Sequence, residues 1–321
     1  MTVASAPAKV ILFGEHFVVH GSHALLAAIN KRIRATARTT AAEKIVIRSD
    51  IGAAGEYSGR DFKVLRGGKR ARALIDPIHD AARRALGSRV GDGGIEIDLC
   101  SAIPYGIGLG SSAASCVATV GAVCSLVGRR DRRWICERAV ESERRIHRNS
   151  SGADCYISTF GGLIQYERRE GYKKIRSRKS LSIVIGNTGI KHHTGELVAG
   201  VARFKARKPK VFADLMTRAD EICLDAASAL ESGQLERLGF LMNENQLLLQ
   251  QIRVSSKKVD DLVRACRAAG ALGAKITGAG GGGSVVALVA DAKQSARVAE
   301  GIRQAGCDPI EAQIDYKGLI V

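Results

Sequence analysis

The run Pro104-Tyr105-Gly106-Ile107-Gly108-Leu109-Gly110-Ser111-Ser112-Ala113-Ala114 constrains this chain more than any other stretch. Glycine at every second position lets a loop enter positive φ and bring backbone N–H groups close to a ligand. Small and apolar residues over 113–126 follow and predict a buried helix, with Ser111 or Ser112 near its N-cap. A glycine loop that opens a helix offers an anion unsatisfied N–H donors and the positive end of the helix dipole. Phosphate is the natural anion, and the serine hydroxyls suit a phosphate-bound Mg²⁺. The spacing is not that of a P-loop, since no Lys follows the last Gly, nor is it a dinucleotide fingerprint after a first strand. The competing reading is a tight turn before a buried helix. The paired serines and the all-round apolar helix favour the phosphate loop.

With 321 residues the chain has length for one large domain or two ordinary ones. Eight cysteines are scattered without a C-x-x-C pair, several inside apolar runs, and read as reduced, buried small hydrophobes. No signal peptide and no membrane-length apolar run is evident, so a cytoplasmic location with no membrane association is expected. The net charge of +17 fits nucleic-acid binding or the steering of anionic small substrates over a solvated basic surface. Basic residues are spread along the chain, aromatics make up only 4%, and no nucleic-acid module accompanies them, which favours steering.

Along the chain, residues 9–13 and 17–19 predict two strands around the turn Gly14-Glu15-His16. Period two puts Lys9 on one face with Ile11 and Phe13, which by itself reads as a snorkelling edge residue rather than a placed cation. Another strand or two is expected within 31–50, a helix over 71–86, and a strand over 94–99 that feeds the glycine loop. A helix over 132–147 carries Ile135, Ala139, Val140 and Ile146 on one stripe, together with Glu143. A carboxylate there either reaches water at the stripe's edge or binds a metal. Asp154 follows Gly152-Ala153, where acidic residues usually serve turn chemistry. The basic segment 167–180 is the linker candidate. A strand over 182–186, a helical region opening near residue 191, two helices within 211–253 and an amphipathic helix over 256–269 come next. His192 and His193 have no partner at metal spacing. Lys275-Ile276-Thr277-Gly278-Ala279-Gly280-Gly281-Gly282-Gly283-Ser284 then precedes a buried strand. Five glycines in six positions exceed what packing alone explains, and a backbone that closes against the first glycine loop is expected.

Three motifs now stand in order: Ala6 to His16 (APAKVILFGEH), Pro104 to Ala114, and Lys275 to Ser284. This trio resembles the signature motifs of the galacto-, homoserine, mevalonate and phosphomevalonate kinase superfamily, and within it the mevalonate kinase family. Further marks are Gly14-Glu15-His16-Phe17-Val18-Val19-His20-Gly21, Gly186-Asn187-Thr188-Gly189-Ile190-Lys191-His192-His193-Thr194, Met242-Asn243-Glu244-Asn245-Gln246 and Gly270-Ala271-Leu272-Gly273-Ala274-Lys275. The resemblance implies an α+β, two-domain small-molecule kinase fold. Its N-terminal ribosomal-protein-S5-like domain would cover residues 1–178, and its C-terminal ferredoxin-like domain 179–321, with a cleft between. It implies ATP and Mg²⁺, small-molecule partners only, no nucleic acid, and a homodimer. Carried over by motif, Asp154 would take the proton of the C5 hydroxyl of mevalonate, and Lys9 would stand beside it. Pro104, Gly106, Gly108, Leu109, Gly110, Ser111, Ser112 and Ala113 would hold the nucleotide phosphates. Ser112 and Glu143 would ligate Mg²⁺, while Glu15, His16, Thr194, Gly280 and Gly281 would shape the mevalonate pocket. The chain departs from the family pattern at Ala8, where Gly is usual, and at Ser150, Ala153 and Cys155 around Asp154. Two alternatives accompany this reading: a kinase for the 3-hydroxyl of mevalonate or another small hydroxy acid, and a catalytically silent member that binds a partner.

Overall fold

Two long strands, β1 (Thr2–Phe13) and β2 (Ala24–Thr40), pair antiparallel and set the frame for the first half of the chain. In the computed structural model, residues 1–87, 93–104, 106–145, 151–190 and 194–321 are described. The length of β2 lets it also pair with two further strands, β6 (Gly94–Ser101) through Ile33 to Thr40 and β7 (Leu163–Glu167) through Ala24 to Ala27. With β3 (Ile45–Ser49), β4 (Ala53–Ser58), β5 (Asp61–Arg66) and β8 (Gly171–Ile175) they form an eight-stranded sheet in the order β5-β4-β3-β6-β2-β7-β8, with β1 beside β2. The β3–β6 pair is parallel.

Four helices cover this sheet: α1 (Ala71–Leu86), α2 (Ser111–Leu126), α3 (Arg132–Glu143) and α4 (Ala153–Phe160). α2 lies at their centre, touching β1, β2, α1, α3 and α4, which is why its sequence is apolar on every side. A Cβ on Gly121 would come within 3.0 Å of Leu319 and 3.2 Å of Ala4, so the small residues of α2 allow close packing. α1 matches its predicted bounds.

A second, antiparallel sheet has the order β10-β11-β9-β12, built from β9 (Ser182–Asn187), β10 (Gly273–Thr277), β11 (Ser284–Val289) and β12 (Asp308–Gln313). α5 (Thr194–Arg207), α6 (Pro209–Ser232) and α7 (Leu235–Gln251) lead up to α8 (Lys257–Ala268) and α9 (Ala292–Gln304). α8 buries Val259, Leu262, Val263 and Cys266, the stripe its sequence announces. The chain then returns to the first sheet through isolated bridges Ser5–Ile320 and Ile29–Ile314. The Arg32 guanidinium fastens this return, donating to Ser5, Gly318 and the Asp315 carboxylate. Among the described residues, no helix is long and apolar enough to cross a membrane.

Three expectations change. Residues 17–19 belong to a 3₁₀ turn (Phe17–His20) and not to a strand, because Gly14 (φ 94°) and His16 (φ 63°) break the extended backbone ahead of it. Residues 171–175 of the linker candidate form edge strand β8, hydrogen-bonded to β7, whose exposed lysines suit an edge. Gly110 (φ 73°), rather than a serine, caps α2. The last part of the stripe expected on α3, from Ile146 onward, lies outside the described residues.

Candidate active site

Lys9 sits mid-strand in β1, and its N–H donates to the Leu109 carbonyl at 3.0 Å, tying the first motif to the glycine loop. Its side chain, 6% exposed, passes beneath Gly110. A Cβ on Gly110 would lie 2.8 Å from Lys9 Cγ and 3.0 Å from Cε, so the glycine leaves room for the lysine stem as well as supplying φ 73°. Lys9 Nζ stands 3.2 Å from Asp154 Oδ2. Lys9 is therefore a placed cation and not a snorkelling one. Asp154 occupies the first turn of α4 behind Gly152 (φ 85°), where the helix N-terminus favours negative charge. Its side chain keeps 30% exposure, which leaves the carboxylate open to a substrate.

Gly106, Gly108 and Gly110 have φ of 79°, 83° and 73°. Left-handed residues at alternate positions turn successive N–H groups to one side, the pattern of an anion-binding nest. Ser111, Ser112 and Ala113 form the first turn of α2, and Pro104 is exposed ahead of the loop. Ser111, Ser112 and Ser115 also floor a cavity of about 240 Å³ whose walls are apolar residues of β3, α1 and β6, among them Ile47, Ile75, Ile78 and Leu99. An apolar slot opening on an anion-binding loop has the shape and chemistry of a nucleoside site.

Glu143 ends α3 and is 4% exposed, so the edge-of-stripe reading does not hold. The Cys155 thiol donates to its Oε2 at 3.5 Å. Burial, reinforced by this carboxylate, pushes the Cys155 and Cys116 thiols well up. Glu143 thus lies against the first turn of α4, where Cys155 directly follows Asp154, and near Cys116, one helical turn along α2 from Ser112.

The second glycine run closes against the first, as expected. The Ser284 hydroxyl donates to the Ile107 carbonyl at 2.9 Å, and a Cβ on Gly278 would lie 3.7 Å from the Gly108 carbonyl. Packing explains more of this run than the sequence reading allows. A Cβ on Gly280 would stand 2.2 Å from the Val254 carbonyl, and one on Gly282 2.6 Å from the Ile190 carbonyl. The Gly281 and Gly283 N–H groups donate to those same two carbonyls.

Glu15 and His16 meet this loop. His16 Nε2 lies 2.8 Å from the Ala279 carbonyl, and burial holds its imidazole below the usual histidine range. Lys275 Nζ bonds Glu15 Oε1, and both residues are all but fully buried. Burial raises the carboxyl and lowers the ammonium, each opposed by its partner. Sequence reasoning passed over Lys275, although a lysine between Ala274 and Ile276 in a wholly buried strand was a usable signal. Thr194 is the exposed first residue of α5, and His192 and His193 lie outside the described residues. Among the described residues no group of three His, Cys, Asp or Glu side chains forms a metal cluster.

Comparison with known proteins identifies the family. Residues 74–162 match the model of the GHMP kinases N terminal domain, and residues 226–307 that of the GHMP kinases C terminal domain. The chain is 38% identical to a mevalonate kinase of Pyrococcus furiosus and 40% identical to one of Thermococcus gammatolerans, each over 99% of this chain and 97% of the relative. Its structure resembles the crystal structure of L. major mevalonate kinase in complex with R-mevalonate, with a TM-score of 0.81, 28% identity, and 97% and 95% of the two chains covered. It shares the fold of the Methanococcus jannaschii mevalonate kinase, at a TM-score of 0.81 and 24% identity over 98% of each chain.

Proposed function

The chain belongs to the GHMP kinases and within them to the mevalonate kinases, and from that membership we propose that it transfers the γ-phosphoryl group of ATP to the C5 hydroxyl of mevalonate. The Lys9–Asp154 pair carries the reading, set at the mouth of a glycine loop with an apolar cavity behind it. Asp154 accepts the hydroxyl proton as the C5 oxygen attacks the γ-phosphorus. The bond from that phosphorus to the bridging oxygen breaks, and ADP leaves. Lys9 favours the developing alkoxide and offsets charge on the transferring group. Loop N–H groups from Gly106 to Ala113 hold the phosphates, so catalysis rests on positioning and electrostatics.

Ser112 and Glu143 would hold Mg²⁺. A hydroxyl and a buried carboxylate are the oxygen donors a hard cation takes, and a carboxylate this deep in the protein suits a cation. Bound there, the ion would neutralise phosphate charge. Glu15, His16, Thr194, Gly280 and Gly281 would shape the pocket for the acceptor.

Asp154→Ala tests the base directly. General-base loss should lower kcat by about 10²–10⁴-fold, while the Kd for ATP measured by calorimetry stays within a few-fold of wild type. Undiminished turnover would remove Asp154 from the mechanism.

A further inference from the structure

Glu15 and Lys275 are 260 residues apart in sequence, yet they form an ion pair with side chains 1% and 0% exposed. Taking two charges out of water is costly, and apolar side chains of similar volume would serve stability as well. The pair therefore calls for a role beyond holding the fold together. Its surroundings supply one. β10, which carries Lys275, runs directly into the second glycine loop, and the Thr277 hydroxyl at its end accepts the Ile11 N–H at 2.9 Å. His16, beside Glu15, reaches the Ala279 carbonyl of that loop while held at φ 63°. Lys275 Nζ also donates to the Ile276 carbonyl at 2.5 Å, which fixes the ammonium to its own strand. Glu15 thus binds Lys275 through Oε1, and its buried Oε2 has no hydrogen-bond partner among the described residues. An ionised carboxylate accepts only, so Oε2 suits an O–H donor.

We propose that Lys275 is a positioning residue of the acceptor pocket: it anchors Glu15 as a carboxylate and, through it, the Glu15–His16 turn against the second glycine loop. The inference rests on the preceding reading, in which Glu15 and His16 shape that pocket. The titratable or charged groups facing Glu15 are Lys275 from β10, Lys9 from β1 and Cys223 from α6, with His16 next along the chain. Lys275 is the one bonded to its carboxylate. Without it, burial would act on Glu15 with less opposition and move its ionisation to higher pH.

Lys275→Met, Glu15→Gln and the double variant test this through steady-state kinetics between pH 6 and 9.5. Lys275→Met should raise the KM for mevalonate about tenfold or more while the KM for ATP stays within twofold. Its kcat/KM for mevalonate, relative to wild type, should climb with pH as the unpartnered Glu15 ionises. The double variant should lose that climb and match Glu15→Gln alone, because Lys275 acts through Glu15. An unchanged mevalonate KM in Lys275→Met would overturn the proposal, as would losses in the double variant that exceed those of Glu15→Gln. If Lys275→Met does not fold, the charge-free double variant carries the same comparison. Wild-type turnover of mevalonate, measured alongside, tests the underlying reading separately.

Discussion

Lys9 joins three parts of the site through different atoms: its N–H holds the glycine loop at Leu109, its methylenes fill the space left by Gly110, and its ammonium meets Asp154. A buried ammonium facing a half-open carboxylate gives a proton-accepting group a fixed orientation and a cation ready for developing negative charge. Glu143 has a different character, being buried at the end of α3 where it accepts a hydrogen bond from the Cys155 thiol. Glu143→Gln keeps the shape and removes the charge, so it should shift the Mg²⁺ titration of activity to higher concentration with little change in fold. An unaltered titration would remove Glu143 from the metal site. At this scale the sequence marked residues that broke a pattern, without deciding what Lys9 does. Lys9 on an apolar face and Glu143 on an apolar stripe both stood out, and both are buried. Asp154 had no such signal, since an acid after glycine is ordinary turn chemistry, and only the family motif singled it out. Lys275 did break a pattern, but its partner lies 260 residues away, a pairing no local spacing reveals.

The glycine loop, as an element, serves the lysine beneath it as much as any phosphate above. Gly110→Ala would place a methyl group against the Lys9 stem and strain a backbone held at φ 73°. The strain alone costs about 1–2 kcal/mol, and displacing Lys9 by an ångström should cost roughly 10²-fold in kcat. Wild-type kcat in Gly110→Ala would show that Lys9 tolerates the shift. α1 offers an independent test. His79 stacks on Tyr57 with ring centroids 3.6 Å apart, and burial, aided by Arg83, lowers its pKa to about 4. The unfolded chain, with an ordinary histidine near 6.5, takes up a proton that the folded protein refuses. Stability is therefore lost as pH falls from about 6.5 through 4, and His79→Gln should flatten that loss in denaturant midpoints measured across the window. An equal slope in wild type and variant would contradict it. Elements with strong signals were legible: the one-sided apolar spacing of α1 and α8 and the unbroken apolar run of α2 put them close to where they sit. The 3₁₀ turn after His16 was not, because apolar Phe17-Val18-Val19 reads as a strand until the positive φ before it is known. Nor was β8, whose basic composition resembles a linker because an edge strand has one side free to water.

Across the whole molecule, two sheets are held together by contacts between the motifs and by the chain's own return. Ser284 meets Ile107, Glu15 meets Lys275, and Arg32 ties the final residues to β1 and Asp315. The two glycine loops thus face each other with Lys9 and Asp154 alongside, so the proposed phosphate and acceptor sides of the site are joined by direct contacts. The net charge of +17 suits the attraction of two anionic substrates to such a site. Composition left open which anion the chain acts on, and its mevalonate kinase relatives support mevalonate phosphorylation. The most direct test is a coupled ADP-release assay with Mg²⁺-ATP and mevalonate, followed by phosphorus and carbon NMR of the product. The account predicts ADP release that depends on mevalonate, with the new phosphate coupled to C5. Phosphate on the 3-hydroxyl, or no mevalonate-dependent ADP release, would contradict it.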